Sequence, residues 1–195
     1  MAKRVKALRT RALLVEAAAS AFSGDGFHGT SLAQVVEKSG MTMGALTYHF
    51  ASKDDLADAV EEEGAEVTRS TVRVFAAQTT PPLTRLADLL LELARLLEED
   101  PLVRCAVRLS RERSTAPWSR IWLPLVTTLV DDACKQGQVR AAARPDDVTE
   151  LIRLLLHGTA LGPDTQRQDA LTRLRGAWQV ALGGITAEPE AAVPA

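Results

Sequence analysis

The chain has 195 residues, 46% of them apolar, and a formal charge of −2 at pH 7. This length fits one ordinary domain or a small module attached to a larger one, with enough apolar residues for a core. A charge so close to zero excludes a protein that coats nucleic acid through bulk charge. The charge is uneven, however, because residues 1–53 carry seven Lys or Arg and three acids, whereas the remainder carries sixteen and twenty-two. We therefore expect any polyanion to meet the basic front of the chain.

Cysteine usage and hydropathy indicate a cytoplasmic protein. Cys105 and Cys134 have no CxxC or paired-His context, which favours two reduced packing thiols over a disulfide or a metal site. The start of the chain superficially resembles a secretory signal, but Glu16 interrupts its apolar stretch and helical spacing runs through it. No run approaches the roughly 18 apolar residues that a membrane span requires. We expect no membrane segment.

Four helices are predicted in the first part of the chain. The first covers about 8–23, with apolar residues at i, i+3, i+4, i+7 and i+8 and the glycine-rich GDGFHGT after it. Ser31 and Gln34 have capping-box spacing at the start of a short helix that ends at Gly40. Thr42 can cap a second short helix that runs to about Tyr48. A longer helix follows over about 52–77. The apolar positions of the first two helices are Leu14, Ala17, Ala18, Ala21, Phe22, Leu32, Val35 and Val36.

Five further helices are predicted after the pair Pro81-Pro82, which gives an all-α chain of about nine helices. Their apolar stripes lie at about 86–97, 101–110, 116–136, 145–161 and 165–183. The helix at 145–161 is apolar on almost every face, so it must be covered on all sides, and a second copy of the chain is the economical cover. We expect the homodimer to form through the helices at 145–161 and 165–183. The tail at 188–195 is predicted to be disordered, and we find no credible strand or repeat.

The two short helices around the Gly40-Met41 turn have the spacing of a helix-turn-helix. A short exposed helix fits the roughly 12 Å major groove, and the helix before it lies across the phosphates. Small residues on the outer face, Gly44 and Thr47, let the backbone come close to the bases. The alternative is a pair of core helices joined by a glycine turn. The basic front of the chain and the hydroxyl at the start of the second helix favour DNA binding.

The segment AAASAFSGDGFHGTSLAQVVEKSGMTMGALTYHFASKDDLADAV resembles the DNA-binding region of the TetR family of transcriptional repressors. The likeness covers about residues 10–60, and the rest of the chain matches that family only in its all-helical layout. The resemblance implies a helix-turn-helix DNA-binding domain at 1–52 and a helical ligand-binding and dimerisation domain at 53–187. It also implies a homodimer that binds a double-stranded DNA operator.

The family pattern implies a set of DNA-contacting residues. Phe50 and His49 would lock the third helix against the first and fourth, Tyr48 would lie near the DNA backbone, and Lys53 would neutralise a phosphate. Two positions depart from the pattern: Thr47 replaces an aromatic, and Met43 stands where Lys, Arg or Ser is usual, so the resemblance does not define the operator sequence. The expected DNA-binding residues are Ser31, Thr42, Met43, Gly44, Thr47, Tyr48, His49 and Lys53.

A second likeness involves the gamma-butyrolactone autoregulator receptors within the same family. It implies a ligand pocket lined by Trp122, by Trp118 one turn earlier, by Thr159 and, less directly, by His157. A polar residue that some of those receptors use would fall near Gly64, which has no side chain, and this departure favours a variant receptor. The alternatives are a Trp stripe that belongs to the core and a histidine that lies in the core or the dimer seam.

These observations predict a ligand-responsive repressor that binds a pseudopalindromic operator as a homodimer. A gamma-butyrolactone or an antibiotic would be the effector, and the sequence leaves open whether it releases or promotes DNA binding. The alternatives are a DNA-binding regulator without a small-molecule response and, further away, a helical enzyme or lipid carrier. No nucleophile, base and orienting acid can be assembled, so we expect neither an enzyme nor a cofactor. The GxGxxG at residues 24–29 follows a helix rather than a strand, which argues against a dinucleotide site.

Overall fold

A computed structural model describes residues 2–161 and 170–187, and all its regular elements are helices. The only extended pairing within these ranges is an isolated bridge between Val139 and Thr186, which agrees with the predicted all-α fold. Residues 165–169 of the predicted last helix and the predicted tail at 188–195 lie outside the described residues. The helices are α1 (Ala2–Gly29), α2 (Leu32–Ser39), α3 (Met43–His49), α4 (Lys53–Ala76), α5 (Pro82–Glu99), α6 (Pro101–Glu112), α7 (Ser119–Lys135), α8 (Pro145–Leu161) and α9 (Ala170–Ile185).

The chain divides into two compact units. The first contains Met1–Ser70 and Glu99–Ile121, and the second contains Thr71–Glu98 and Trp122–Ala195. The boundary that we predict at residue 52 falls inside the first unit, because α6 and most of α4 pack with the three N-terminal helices. A functional boundary at 52 stays a prediction.

α1 is longer than its apolar pattern predicts. The five predicted apolar positions are buried, but the helix begins at Ala2 and continues to Gly29. Lys, Arg, Ala and Leu are strong helix formers, so the helix extends upstream of its buried face. At the other end the helix bends at Gly26, whose φ of 73° and ψ of 176° are non-helical. Helical structure then continues for one turn.

The predicted caps of the two short helices are present. Ser31 Oγ accepts from Gln34 N at 3.3 Å and Gln34 Oε1 accepts from Ser31 N at 2.6 Å, which completes the capping box of α2. Gly40 ends α2 in the left-handed conformation, and Thr42 Oγ1 accepts from Ala45 N at 3.1 Å to start α3. Each cap satisfies amide groups that would otherwise lack a partner at the helix end. The local sequence therefore fixes the turn between α2 and α3.

α4 and α6 come into backbone contact at Gly64. A Cβ at this position would lie 2.6 Å from the Cβ of Ala106 and 2.7 Å from the carbonyl oxygen of Leu102. Both distances are shorter than real contacts allow, so only glycine permits this helix crossing. One turn later Thr68 is fully buried and donates to the carbonyl oxygen of Gly64 at 3.1 Å. α6 belongs to the first unit chiefly through its packing on α1, and the contact at Gly64 joins it to α4.

The second unit is built from the predicted leucine face of α5 and the inner faces of α7, α8 and α9. The leucines at 86, 89, 90, 93 and 97 are buried, as are Trp122 and Trp178. Leu154 on α8 and Val180 on α9 are instead 54% and 80% exposed. The apolar sequence of α8 is therefore only partly covered within this chain. No helix in the described ranges is long and apolar enough to cross a membrane.

Replacing Gly26 should destabilise the protein. Gly26→Ala would force a side chain into backbone angles that are nearly exclusive to glycine, and its Cβ would lie 2.9 Å from Nη2 of Arg108. We expect a loss of about 1–3 kcal/mol in the free energy of unfolding, measured by urea denaturation. Gly24→Ala is the matched control, because nothing lies within 4 Å of the Cβ it would add. In a helix that substitution should stabilise by about 0.4–1 kcal/mol, so equal effects at both positions would refute the expectation.

Candidate nucleic-acid interface

The outer face of α3 is exposed and carries few large side chains. Thr42, Gly44 and Thr47 are exposed, Met43 is 43% exposed and Tyr48 is 78% exposed. On the opposite side of α3, Leu46 is fully buried and anchors the helix in the core. This arrangement presents a short helix whose backbone can approach another surface closely.

The C-terminal end of α3 is fixed by a row of rings. His49 packs edge-on against Tyr48, with ring centroids 5.0 Å apart, and lies 6.4 Å from the ring of Phe50. Phe50 is buried, and the guanidinium of Arg11 lies 5.3 Å from its ring centroid. Arg11 also forms an ion pair with Glu63 of α4 at 3.0 Å. These contacts connect α3 to α1 and α4.

Thr47 directs its hydroxyl proton back into α3. Its Oγ1 lies 3.1 Å from the carbonyl oxygen of Met43 and 3.3 Å from that of Gly44. A hydroxyl that donates to its own helix keeps only acceptor capacity for another molecule. Because a phosphate offers acceptors alone, Thr47 in this rotamer suits a donor on a base edge better than a phosphate.

A simple phosphate contact would predict that the Lys53 side chain extends freely into solvent. In the structure it folds back onto the protein instead. Its Nζ donates to the carbonyl oxygens of Phe27 at 2.8 Å and Thr30 at 3.1 Å, and it lies 4.5 Å from the ring centroid of Phe27. Two of its three donors are therefore used within the protein. The contact holds the end of α1 against the start of α4, and the phosphate role of Lys53 stays a prediction.

The bend of α1 is held by a group of residues that the sequence analysis missed. We call Phe27, Lys53, Arg108, Glu112 and Arg113 the Phe27 cluster. Glu112 accepts from the backbone N–H of Phe27 at 2.6 Å, and Arg108 donates to the carbonyl oxygen of Ser23 at 2.6 Å. The partners lie 85 residues apart, so no local spacing could have revealed them. Burial raises the pKa of Glu112, but the bond from Phe27 and the charge of Arg108 outweigh it and hold that pKa below its usual value.

Arg113 extends the cluster to α4. Its guanidinium lies 5.1 Å from the ring centroid of Phe27 and donates to Asp58 and Glu61, each at 2.7 Å. The side chains of Arg113 and Glu61 are only 10% and 18% exposed, so their bond is poorly screened by water, whereas Asp58 is 63% exposed. Glu61 also accepts from Thr115 at 2.6 Å. Glu61 is therefore bound on both carboxylate oxygens.

A groove of about 350 Å³ lies beside these acids, within the first unit. We call it the Trp118 groove. Trp118 forms part of its wall, and the indole Nε1 donates to the buried Thr68 at 2.9 Å. The other lining residues are Asp58, Glu61, Glu62, Ala65, Arg69, Ala106, Ser110, Thr115, Ala116, Pro117, Arg120 and Ile121. The groove thus combines apolar groups with hydroxyls and charged groups.

The four predicted ligand residues do not belong to one unit. Trp118 lies in the first unit, whereas Trp122, His157 and Thr159 lie in the second. Trp122 is 2% exposed, His157 is exposed, and the hydroxyl of Thr159 donates to the carbonyl oxygen of Leu155 at 2.9 Å. Their role in ligand binding stays a prediction.

Both cysteines are free thiols, as predicted. Burial raises the pKa of Cys105 to about 11, which leaves it protonated and unreactive at neutral pH. Burial and the charge of Asp131 also raise the pKa of Cys134. Within the described ranges, no group of His, Cys, Asp and Glu side chains is arranged to hold a metal ion.

The all-helical fold and the exposed, capped α3 define a helix-turn-helix DNA-binding protein. The model of the bacterial regulatory proteins of the tetR family matches residues 14–60. The chain is 28% identical over 191 residues to the A-factor receptor protein of Streptomyces griseus, covering 95% of this chain and 67% of the relative. The chain belongs to the TetR family of bacterial regulatory proteins, and it is a transcriptional regulator rather than an enzyme.

Solved structures agree with this assignment. A gamma-butyrolactone receptor described as an ArpA-like protein superposes with a TM-score of 0.78 at 26% identity, covering 94% of this chain and 90% of that one. The TetR-family protein CprB from Streptomyces coelicolor, in complex with its operator sequence, gives a TM-score of 0.75 at 27% identity. That match covers 93% of this chain and 90% of CprB. The predicted family and the likeness to gamma-butyrolactone receptors are confirmed.

The two roles of Lys53 can be separated by experiment. Lys53→Ala should lower the free energy of unfolding by about 1–2 kcal/mol, because it removes two charge-assisted hydrogen bonds to α1. A purely structural role leaves the slope of log affinity against log salt unchanged. A phosphate contact predicts the opposite pattern, in which the slope falls by about one and stability is unaffected. Lys135→Ala, at a 75% exposed position of the second unit, controls for the loss of one charge.

Proposed function

We propose that this protein is a ligand-responsive transcriptional repressor that binds a pseudopalindromic operator as a homodimer. The observation that carries the proposal is α3 itself, a capped short helix with one buried side and an exposed face of small residues. Each subunit places α3 in one major groove, and the two grooves lie about 34–36 Å apart on one side of the duplex. Binding of a bacterial operator places the protein in the cytoplasm.

Base recognition is assigned to the exposed face of α3. Thr47 accepts a hydrogen bond from a base-edge amino group, and Met43 makes apolar contact, for example with a thymine methyl. Gly44 allows the backbone to come close. Ser31, Thr42, Tyr48 and His49 lie on or beside the turn, where they fix the register through the DNA backbone.

The dimer is assigned to α8 and α9. Leu154 and Val180 are large apolar residues that the chain itself leaves exposed. Gly158 on α8 and Gly176 on α9 have nothing within 4 Å of an added Cβ. Small residues beside exposed apolar ones let a second pair of helices approach closely and remove apolar surface from water. A two-fold symmetric seam presents the same patch on both subunits.

The effector is assigned to the class of gamma-butyrolactones or related small molecules, because solved proteins similar to this chain along most of its length are described as gamma-butyrolactone receptors. The Trp118 groove supplies an apolar wall and the hydroxyls of Ser110 and Thr115. At Gly64 the contact with Ala106 leaves no room for a polar side chain. Polar recognition of an effector in this groove must therefore come from its own lining residues, and a role of Trp122, His157 and Thr159 in effector binding is a separate proposal for the second unit.

Coupling between effector and DNA runs through Arg113. Asp58 and Glu61 line the groove and bind Arg113, which in turn packs on Phe27 at the bend of α1. An effector that displaces either carboxylate loosens the bend and the orientation of α2 and α3. Release of DNA follows only if the effector binds the loosened state more tightly, since equal affinity for both states shifts nothing.

Selection of random double-stranded DNA by the purified protein tests the proposed function. We expect an inverted repeat whose half-sites lie about one helical turn apart, because two α3 helices read it from one side. Thr47→Val serves as the matched variant, because it keeps the side-chain shape but removes the hydroxyl, and it should change the preferred base at one position in each half-site. Recovery of sequence-blind, salt-sensitive binding alone would refute the readout by α3.

A second experiment separates a ligand-responsive repressor from a regulator with no small-molecule response. Trp118→Phe should leave operator affinity intact and weaken effector binding by about tenfold, the loss expected for one good aromatic contact. Titration of the protein–operator complex with a panel of gamma-butyrolactones and antibiotics measures both quantities. Thr68→Val removes the hydrogen bond to Trp118 without changing the groove wall, so it reports the effect of indole position alone. No release by any compound would favour the regulator without a small-molecule response.

A further inference from the structure

Most side-chain donors of the Trp118 groove are committed to the protein itself. The hydroxyl of Ser110 donates to a backbone carbonyl oxygen at 3.0 Å, and that of Thr115 donates to Glu61 at 2.6 Å. The indole N–H of Trp118 is bound to Thr68. A hydroxyl whose proton is used within the protein can only accept a hydrogen bond from a ligand. These three groups therefore offer an effector no hydrogen-bond donor.

Two arginines line the same groove, and they differ in what holds them. Arg69 donates to Glu66 at 2.8 Å and to Glu62 at 2.6 Å, so its charge is already paired. Arg120 is exposed, and no described residue accepts a hydrogen bond from its guanidinium or forms an ion pair with it. A guanidinium carries five N–H donors and no acceptor. Arg120 is therefore the lining side chain whose donors are all available to a ligand.

The rest of the polar lining mainly accepts hydrogen bonds. Asp58 and Glu62 each bind an arginine through one carboxylate oxygen and retain the other. The hydroxyls of Ser110 and Thr115 retain lone pairs. These groups can meet a hydroxyl or amino group of an effector, but they cannot bind a carbonyl oxygen, which itself only accepts. A carbonyl oxygen in the groove is therefore best met by Arg120.

The position of Arg120 in its helix also favours an electron-rich ligand atom. Arg120 lies in the first turn of α7, which contains no acidic residue. The helix dipole places partial positive charge at this end of α7, so a cation here is unfavourable unless an electron-rich group lies beside it. A ligand oxygen next to the guanidinium interacts favourably with both the side-chain charge and the helix dipole. Trp118, which directly precedes α7, supplies an apolar surface for the rest of the molecule.

We propose that Arg120 is a specificity-determining residue of the Trp118 groove, where its guanidinium donates to the carbonyl oxygen of a lactone effector. The inference rests on the proposed effector class and deepens it, because it names the group that distinguishes a lactone from an apolar molecule of the same shape. The ring and alkyl chain of the effector pack on Trp118, and any hydroxyl group of the effector faces the acceptors of the groove. A molecule that lacks the carbonyl oxygen gains only the apolar contact.

The test combines a protein variant with a matched pair of probes. The probes are gamma-butyl-gamma-butyrolactone and 2-butyltetrahydrofuran, which share ring and alkyl chain and differ in the carbonyl oxygen. The wild type should bind the lactone about tenfold more tightly than the ether, the preference expected for one hydrogen bond from a charged donor. Arg120→Met keeps an unbranched side chain but removes every donor. It should lower the affinity for the lactone about tenfold and leave that for the ether unchanged, as measured by calorimetric titration.

Two further variants separate a ligand contact from a general effect of charge or stability. Arg120→Lys keeps a charged donor without the planar guanidinium, so it should recover part of the preference for the lactone. Arg111→Met removes an exposed arginine outside the groove and should bind both probes as the wild type does. Thermal unfolding should change little in any of these variants, because neither arginine side chain bonds to the described residues.

Three outcomes would overturn the inference. Equal affinity of the wild type for both probes would show that the carbonyl oxygen is not recognised. An equal loss for both probes in Arg120→Met would mean that the arginine shapes the groove rather than binding the carbonyl group. A lactone preference that survives in Arg120→Met would place its recognition elsewhere and would overturn only this inference. If no lactone binds the protein or releases it from the operator, the proposed effector class fails as well.

Discussion

The arrangement of the first unit depends on how the bend of α1 at Gly26 is held. Phe27 follows the bend with its ring between two cations, Lys53 at 4.5 Å and Arg113 at 5.1 Å. Its N–H is bound by Glu112 and its carbonyl oxygen by Lys53. One residue therefore joins α1 to the start of α4 and the end of α6. Because α2 and α3 follow directly, the direction in which α3 faces is set by these contacts.

The bend and the helix crossing at Gly64 act on the same pair of helices. Gly64 brings α4 against α6 without an intervening side chain, and Thr68 is buried one turn later. Arg113 then binds acids of α4 from the segment after α6. α4 and α6 are thus joined by packing at one point and by charge at another. Their relative movement requires either a clash at Gly64 or the loss of charge-assisted bonds that water screens poorly.

The sequence predicted what depends on local spacing. The caps at Ser31 and Thr42 use atoms of residues three positions apart, so their residue types are sufficient to identify them. The upstream end of α1 was missed because an apolar pattern locates only the buried part of a helix. The Phe27 cluster was missed because Glu112 is distant in the chain, and the bonds of Lys53 to the end of α1 were missed because their partners lie more than twenty residues earlier. The likeness to a family supplied the class of partner, but no individual contact.

The same contacts limit where a small molecule can influence DNA binding. α4 and α6 pack closely at Gly64, where there is no room for a side chain against Ala106 and Leu102. The segment after α6 is less constrained than the helix contact at Gly64. Side-chain hydrogen bonds to Glu61 and Thr68 hold its residues Thr115 and Trp118 in place. These bonds can be exchanged for bonds to a ligand without opening the core. Asp58 and Glu61 in the wall of the Trp118 groove are therefore the point at which the proposed coupling through Arg113 to Phe27 begins.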